Sequence, residues 1–181
     1  MNKDIKDIRI RPATYADREA IAQLHVAGWR TTYAPALNPA YLEADVVTDR
    51  RTTWNERLSA PAPNQRVLVA CEGDEVLAFG CAFLNFDPEW GSILDNLHVR
   101  RDLQGLGLGT RLLHDIARIC ATETPTLPMH LWVLHVNVSA QGFYQRYGAQ
   151  NGGTITWNAP EGSQVPVWRY YWPAGQLPLG D

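Results

Sequence analysis

The segment from Val99 to Arg111 contains residues whose types and spacing are suited to binding an anion. Glycines recur at positions 105, 107 and 109, and Gln104 stands directly before them. Glycines lack the side chains that would keep a ligand away from the backbone, and a helix that follows them presents free N–H groups and the positive end of its dipole. The segment therefore predicts an anion-binding loop, and phosphate is the anion that such loops commonly hold.

Two familiar phosphate-binding patterns do not match this loop. The dinucleotide fingerprint requires GxGxxG, whereas Gly105, Gly107 and Gly109 run GxGxG. The Walker pattern requires Lys followed by Ser or Thr after the glycines, and Thr110-Arg111 stands there instead. A turn that merely needs glycine and a different phosphate-ligand enzyme both remain alternatives at this point.

A second segment, residues 137–148, has the sequence NVSAQGFYQRYG. Asn137 is suited to cap the helix predicted over Ser139 to Tyr147, because its side chain can accept from the first free N–H groups. Phe143, Tyr144 and Tyr147 could form the buried side of that helix.

Taken in order, these segments resemble the GNAT family of acetyltransferases. Residues 104–109 (QGLGLG) resemble the family's Q/R-x-x-G-x-G/A pyrophosphate loop, and residues 94–99 (LDNLHV) resemble the strand that precedes it. Residues 137–148 are similar to the family's N-x-x-A-x-x-F-Y-x-x-x-G segment, and residues 10–30 to its first strand and helix. The resemblance covers about residues 8 to 172. The sequence departs from the family at Arg101, where a proline often stands.

The resemblance implies acetyl-CoA as co-substrate. The loop N–H groups would bind its pyrophosphate, the strand edge would pair with the pantetheine arm, and the Val99 N–H would donate to the thioester carbonyl. Asn137 would contact the pantetheine arm, in addition to or instead of capping the helix. The residues implied in cofactor binding are Leu97, His98, Val99, Gln104, Gly105, Leu106, Gly107, Leu108, Gly109, Thr110 and Asn137.

The same resemblance makes Tyr144 the general acid that protonates the departing CoA thiolate. The attacking amine must also lose a proton, because an alkyl ammonium has a pKa of about 10. Asp95, His98 and His135 are the candidate bases, and each could equally be an ordinary polar residue. Asp95 and His98 have opposite parity on one strand, so both can face one side only if the strand carries a bulge.

Three aromatic residues lie where the family shapes its acceptor pocket, namely Trp29, Tyr33 and Trp54. They could enclose the apolar part of an amine or stack on its cation, or they could belong to the core. Nothing in the sequence identifies the acceptor, and a small-molecule amine and a peptide amine both remain open.

Composition limits the other partners. The chain has 181 residues with 16 basic and 19 acidic side chains, and no Lys/Arg block marks a nucleic-acid or membrane binder. The N-terminus has no apolar run typical of a signal peptide, so we expect a cytoplasmic protein.

His130 and His135 have opposite parity on one predicted strand and no HExxH occurs, so no metal site is predicted. Three scattered cysteines, at positions 71, 81 and 120, lie in apolar segments and are interpreted as buried reduced thiols.

Hydrophobic periodicity predicts the order strand, two helices, three strands, helix, strand, helix and two strands. Residues 66–72 and 76–84 form a hairpin by pattern, residues 85–91 a loop, and residues 129–136 a strand. We expect an α/β fold with a mixed, mostly antiparallel central sheet and helices on both faces. The chain is predicted to be one domain over residues 1–181, with its core over about 8–172.

These features together predict an N-acetyltransferase that transfers acetyl from acetyl-CoA directly to a primary amine. No well-placed Cys-His pair supports a covalent acyl-enzyme. A non-catalytic acyl-CoA-binding sensor or interaction module with the same fold is the alternative. A homodimer is a family expectation.

Overall fold

The computed structural model describes residues 7–180, and the predicted element order is confirmed there. Residues 1–6 of the N-terminal segment lie outside the described residues. The four helices are α1 (Arg18–Thr32), α2 (Val46–Ser59), α3 (Leu108–Glu123) and α4 (Val138–Arg146). The strands are β1 (Arg9–Pro12), β2 (Gln65–Glu72), β3 (Glu75–Asp87), β4 (Gly91–Val99), β5 (Met129–Leu134), β6 (Gln150–Asn158) and β7 (Gln164–Trp172). A π-helical turn, Tyr41–Asp45, precedes α2.

Within residues 7–180 the strands form one sheet in the order β1-β2-β3-β4-β5-β7-β6. Neighbouring strands are antiparallel except for β4 and β5, which are parallel. The predicted hairpin is formed by β2 and β3, with Val69 opposite Phe79. This arrangement confirms the predicted mixed, mostly antiparallel sheet.

Helices cover both faces of the sheet because each has an apolar side to bury. On one face, α3 packs Leu112, Leu113 and Ile116 into a cluster that also contains Leu94 and Tyr144. On the other face, residues of α1 and α2 pack against β2 and β3 in a second cluster. The three cysteines are buried and unpaired, as predicted, and desolvation raises the pKa of each thiol. None of the helices described is long and apolar enough to cross a membrane.

The parallel pair β4 and β5 stays in contact only at one end. Ser92 lies opposite Met129 and Ile93 opposite His130, and no later residues of the two strands are paired. Strands that stop pairing expose the N–H and C=O groups along the facing edges. The divergence therefore opens a gap between the second half of β4 and the rest of β5.

Two strand ends differ from the predicted ones by more than one residue. Strand β3 continues to Asp87, so the predicted loop over residues 85–91 is partly strand. Strand β5 ends at Leu134, because the Asn137 N–H donates to the Leu134 carbonyl (3.0 Å) and turns the chain into α4. His135 therefore follows the strand instead of belonging to it.

Candidate active site

A cleft of about 550 Å³ occupies the gap between β4 and β5. Its walls come from the C-terminal part of α1, the second half of β4, the end of β5, the glycine loop and α4. These elements are far apart in sequence, and the divergence of the two parallel strands is what brings them around one space. The residues predicted for cofactor binding that line the cleft are Leu97, His98, Val99, Gln104, Gly105, Gly107, Gly109, Thr110 and Asn137.

The glycine loop closes one end of the cleft. Gly105 and Gly107 have φ of 79° and 87°, in the left-handed region that favours glycine, and α3 begins at Leu108 directly afterwards. The first N–H groups of a helix have no partner within it, so this end of α3 presents free donors beside the cleft. The Gln104 side chain donates to the Val99 carbonyl (3.2 Å) and holds the loop against the end of β4.

Two leucines of the loop that were predicted to bind the cofactor have side chains away from the cleft. Leu106 is exposed to solvent, with 37% of its surface accessible, whereas Leu108 is buried in the core beside α3. Neither side chain lines the cleft. This agrees with a site built from main-chain donors, in which side-chain identity is largely free.

Asn137 caps α4 and also lines the cleft. Its side-chain oxygen accepts from the Ala140 N–H (3.1 Å), as expected for a helix N-cap. The two interpretations of Asn137 are therefore compatible in this structure.

Tyr144 projects from α4 into the floor of the cleft. Its ring packs at right angles to Phe143 (5.1 Å between centroids) and Trp172 (6.1 Å), and the side chain is 9% exposed. Burial, and to a smaller extent the nearby Tyr33 phenol, raise the pKa of Tyr144 above its ordinary value. The raised pKa keeps the hydroxyl protonated at neutral pH. The hydroxyl makes no hydrogen bond to any residue in the range 7–180, so it can donate to a bound ligand.

Tyr33, at the end of α1, brings a second phenol to the same cleft. Desolvation, followed by the negative charge of Asp95, raises the pKa of Tyr33 to about 12. Its ring stacks on Trp29 (5.0 Å, 23°). This part of the cleft wall is therefore aromatic and carries a protonated hydroxyl.

A bulge in β4 resolves the parity conflict between Asp95 and His98. Cys81 lies opposite Asn96 and Ala82 opposite Leu94, so Asp95 is an extra residue with no partner on β3. In agreement, Leu94 and Leu97 are three residues apart yet pack on the same side of the sheet, toward α3. The bulge thus allows Asp95 and His98 both to line the cleft.

The charge of Asp95 is paired. Arg57 of α2 donates to the Asp95 carboxylate (2.7 Å) and to the Asn96 side-chain oxygen (3.1 Å). The Arg57 guanidinium also lies over the rings of Trp54 and Phe83, at 5.2 and 5.1 Å. The cleft therefore carries a carboxylate whose position is held by a cation of α2.

The imidazole of His98 lies between β3 and α1. It stacks on Phe79 (5.2 Å, 18°), and its ring centroid is 4.8 Å from that of His25. Desolvation, followed by the positive charge of Arg50, lowers the pKa of His98 to about 4. His98 is therefore a neutral imidazole at physiological pH.

Besides Leu106 and Leu108, three residues predicted for the site do not line the cleft. His135 lies beyond the end of β5, stacked on Trp168 (4.2 Å). Trp29 is 5% exposed and packs in a cluster with Tyr41 and Val46, while Trp54 is fully buried against Phe79. Trp29 and Trp54 belong to the core behind the cleft because their helices turn these rings toward the sheet. Of the three predicted acceptor-pocket aromatics, Tyr33 is the one on the cleft.

Sequence analysis missed His25, Arg50 and Arg57, which surround His98 and Asp95. Each lies on an amphipathic helix where a polar residue is ordinarily solvated, and no local spacing distinguishes it. The sequence carries one signal for His25, which is its position on the apolar side of α1, four residues after Ile21 and four before Trp29.

Comparison with known proteins agrees with this geometry. The acetyltransferase (GNAT) family model matches residues 23–149, and the chain belongs to this family of acetyltransferases. A probable N-acetyltransferase of Mycobacterium tuberculosis is 29% identical over 168 residues, covering 88% of this chain and 90% of that protein. Among solved structures, a GCN5-related N-acetyltransferase of Rhodopseudomonas palustris is similar with a TM-score of 0.72 and 18% identity, covering 96% of this chain and 99% of the other. The PaiA N-acetyltransferase of Thermoplasma acidophilum, solved in complex with coenzyme A, has a TM-score of 0.66 and 18% identity, covering 91% and 99%.

Proposed function

We propose that this acetyltransferase transfers the acetyl group of acetyl-CoA directly to a primary amine. The observation that carries the proposal is the cleft between the diverging strands, which has free backbone donors at one end and the unpartnered Tyr144 hydroxyl in its floor. An anion site and a proton donor that line one cleft suit a long thioester that has an anionic part and a reactive part.

The residues present fit acetyl-CoA. The positive-φ glycines and the start of α3 would hold the pyrophosphate, and the unpaired edge of β4 from Leu97 to Val99 would pair with the amides of the pantetheine arm. The side chain of Asn137 keeps its amide N–H groups free for that arm while its oxygen caps α4. When bound, acetyl-CoA supplies an activated acetyl group.

The chemistry asked of the protein is proton transfer and positioning. The amine nitrogen forms a bond to the acetyl carbon, the carbon–sulfur bond breaks, and the sulfur takes a proton from the Tyr144 phenol. The Val99 N–H would stabilise the negative charge that develops on the carbonyl oxygen. The substrate ammonium loses one proton before it attacks, and the nitrogen loses a second as the amide forms, each to a base or to water. Asp95 and His98 are the two candidate bases that line the cleft; His135 does not. Tyr144 regains its proton from solvent.

The acceptor side supports an amine with an apolar part. Tyr33 provides an aromatic wall, and Asp95, held by Arg57, provides a carboxylate that could receive an ammonium group. The class of amine, small molecule or peptide, stays open, and a homodimer, a cytoplasmic location and a single domain stay predictions.

The test is a thermal-shift series with acetyl-CoA, CoA, ATP and NAD, followed by an assay of thiol release with a panel of amines. Stabilisation by acetyl-CoA and CoA alone, with amine-dependent thiol release, is expected. A ligand at 100 times its Kd stabilises by about 2.7 kcal/mol, which for this chain length raises Tm by roughly 5 to 11 °C. Stabilisation by ATP or NAD alone would refute the proposal. Stabilisation by CoA without turnover for any amine would favour the alternative, an acyl-CoA-binding sensor or interaction module.

A further inference from the structure

His25 is a polar residue enclosed by aromatic rings. It is 1% exposed, and its ring centroid lies 5.1 Å from Trp29, 5.9 Å from Trp54, 5.8 Å from Phe79 and 4.8 Å from His98. A buried imidazole normally has hydrogen bonds at both nitrogens. His25 has one, because its Nε2 atom has no partner among the described residues.

The tautomer of His25 is determined by Trp54. The indole Nε1–H of Trp54 donates to His25 Nδ1 (2.9 Å), and an indole nitrogen can only donate. Nδ1 therefore carries no proton. Burial, together with the positive charges of Arg50 and Arg57, holds the pKa of His25 well below its usual range, so the ring is neutral. The single proton of His25 must then be on Nε2, which is a buried donor without an acceptor.

Of the rings around His25, His98 is the one that can accept from that donor. Among the rings around His25, those of Trp29, Trp54 and Phe79 have no lone pair to offer in the ring plane, whereas a neutral imidazole has one. The ring edge of His98 that carries Nδ1 lies against α1, since a Cβ atom added at Gly28 would be 2.5 Å from Nδ1. Gly28 and His25 are three residues apart on α1 and share one side of the helix. His98 Nδ1 therefore faces the helix that carries the unpaired donor.

We propose that Trp54, His25 and His98 form a directed chain of N–H donors that runs from the core to the cleft. In this chain His25 Nε2–H donates to His98 Nδ1, and His98 presents Nε2–H to a carbonyl or carboxylate oxygen of a bound substrate. A rotation of the His98 ring toward His25 completes the middle hydrogen bond. The inference rests on the proposed function, and it assigns His98 as a hydrogen-bond donor in place of a general base. His25 and Trp54 act through His98 as positioning residues.

The surrounding charges favour this assignment. Arg50 and Arg57 of α2 face His25, and Arg50 also faces His98, so a second proton on either ring is disfavoured. Tyr33, which directly follows α1, and Asp95 of β4 are further titratable groups that line the cleft, and Asp95 is paired with Arg57. A general base works best with a pKa near the operating pH, whereas a neutral donor must stay neutral. The environment of His98 meets the second requirement.

Two oxygens could receive the His98 N–H. One is the thioester carbonyl oxygen, which would share its developing charge between His98 and the backbone donor of β4. The other is a carbonyl or carboxylate oxygen that the acceptor carries close to its amine. His98 lies against Gly28 of α1 and lines the same cleft as Val99 and Tyr33, so both oxygens are candidates for one donor.

The tautomers of the two imidazoles test the chain without turnover. Uniformly ¹⁵N-labelled protein, with CoA bound, is measured by long-range ¹H–¹⁵N correlation at pH 7. Both His25 and His98 are expected as neutral rings protonated on Nε2, and the His25→Phe variant should release His98 into a mixture of tautomers. His98 protonated on Nδ1 in the wild-type protein would overturn the proposal.

Substitutions at position 98 separate a donor from a base. Glutamine can place an N–H near the Nε2 position and cannot act as a base at neutral pH, whereas phenylalanine keeps the ring shape without a donor. The donor assignment predicts that His98→Gln keeps kcat within about tenfold of wild type while His98→Phe loses roughly 100- to 1,000-fold. Equal losses in both variants, each with unchanged melting temperature, would overturn the donor role in favour of a base.

The amine panel identifies the oxygen. A loss in His98→Phe that is uniform across amines assigns the thioester carbonyl, and a loss confined to amines that carry a neighbouring carbonyl or carboxylate assigns the acceptor. If the wild-type protein turns over no amine while the NMR tautomers are as expected, the proposed function fails and the donor chain stands. The two ideas can therefore be refuted separately.

Discussion

Replacing Tyr144 by phenylalanine isolates one oxygen atom of the cleft. The hydroxyl has no hydrogen-bond partner among residues 7–180, so its removal leaves no protein group unpaired. The ring keeps its contacts with Phe143 and Trp172. We expect the free energy of unfolding to change by about 0.5 kcal/mol or less and the melting temperature by at most about 2 °C.

The catalytic effect of Tyr144→Phe should be much larger than its effect on stability. Positioned proton donors contribute about 100- to 10,000-fold to rate, and we expect kcat to fall within that range while KM for acetyl-CoA stays unchanged. Because burial raises the pKa of Tyr144, the phenol keeps its proton at neutral and moderately alkaline pH. The ratio of wild-type to variant kcat should therefore be constant between about pH 6 and pH 9.

The assay is thiol release at saturating acetyl-CoA and amine, with Tyr170→Phe as the matched control. Tyr170 is a buried tyrosine outside the cleft, and its hydroxyl accepts from the Gln145 side chain (3.0 Å). Its loss leaves that donor unpaired and should cost about 1 kcal/mol of stability without changing kcat more than about twofold. If Tyr144→Phe retained kcat within threefold of wild type, the assignment of Tyr144 as the acid would be refuted.

Three further predictions concern the loop, the pH response and the helix beside His98. Gly107 has a φ of 87°, so Gly107→Ala strains the backbone although no atom lies within 4 Å of the added methyl. The substitution should lower the free energy of unfolding by about 1–2 kcal/mol and weaken CoA binding in calorimetry. Gly142→Ala in α4 is the control and should be neutral or stabilising. The side-chain hydrogen bond from Arg11 holds the pKa of Asp17 at about 2, below its ordinary value. Asp17→Asn should therefore lower the free energy of unfolding by its full amount above about pH 4, and the difference from wild type should vanish as the pH falls toward 2, as measured by urea titration at each pH. Gly28→Ala would place a methyl 2.5 Å from His98 Nδ1 and should lower kcat about 10- to 100-fold; unchanged kcat with unchanged His98 ¹⁵N shifts would contradict this.

Several features of the site could be predicted locally. The glycines at 105 and 107 require positive φ where a strand turns into a helix, and that requirement depends on neighbours in sequence. The side chain of Asn137 caps the helix that begins one residue later, again within a few residues. The hydrophobic repeat of α3 determines which side of that helix is buried. Such features are visible in a sequence because local backbone geometry and periodic burial produce them.

Other features depended on how distant elements meet. The bulge at Asp95 depends on the register between β4 and β3, in which Asp95 has no partner. It brings Asp95 and His98, two residues of opposite parity, to one cleft. Trp54 could have faced an acceptor, but α2 packs that ring onto Phe79 and directs its N–H to His25.

The sequence by itself determined the order of the elements, the glycine loop before α3 and the position of Tyr144, because glycine conformation, periodicity and motif spacing are properties of short segments. Tertiary structure alone decided that His135 lies off the cleft and that His98 is neutral beside His25 and Arg50. The protonation and hydrogen bonding of a side chain depend on burial and on charges from other elements, and these arise only when the helices close over the sheet.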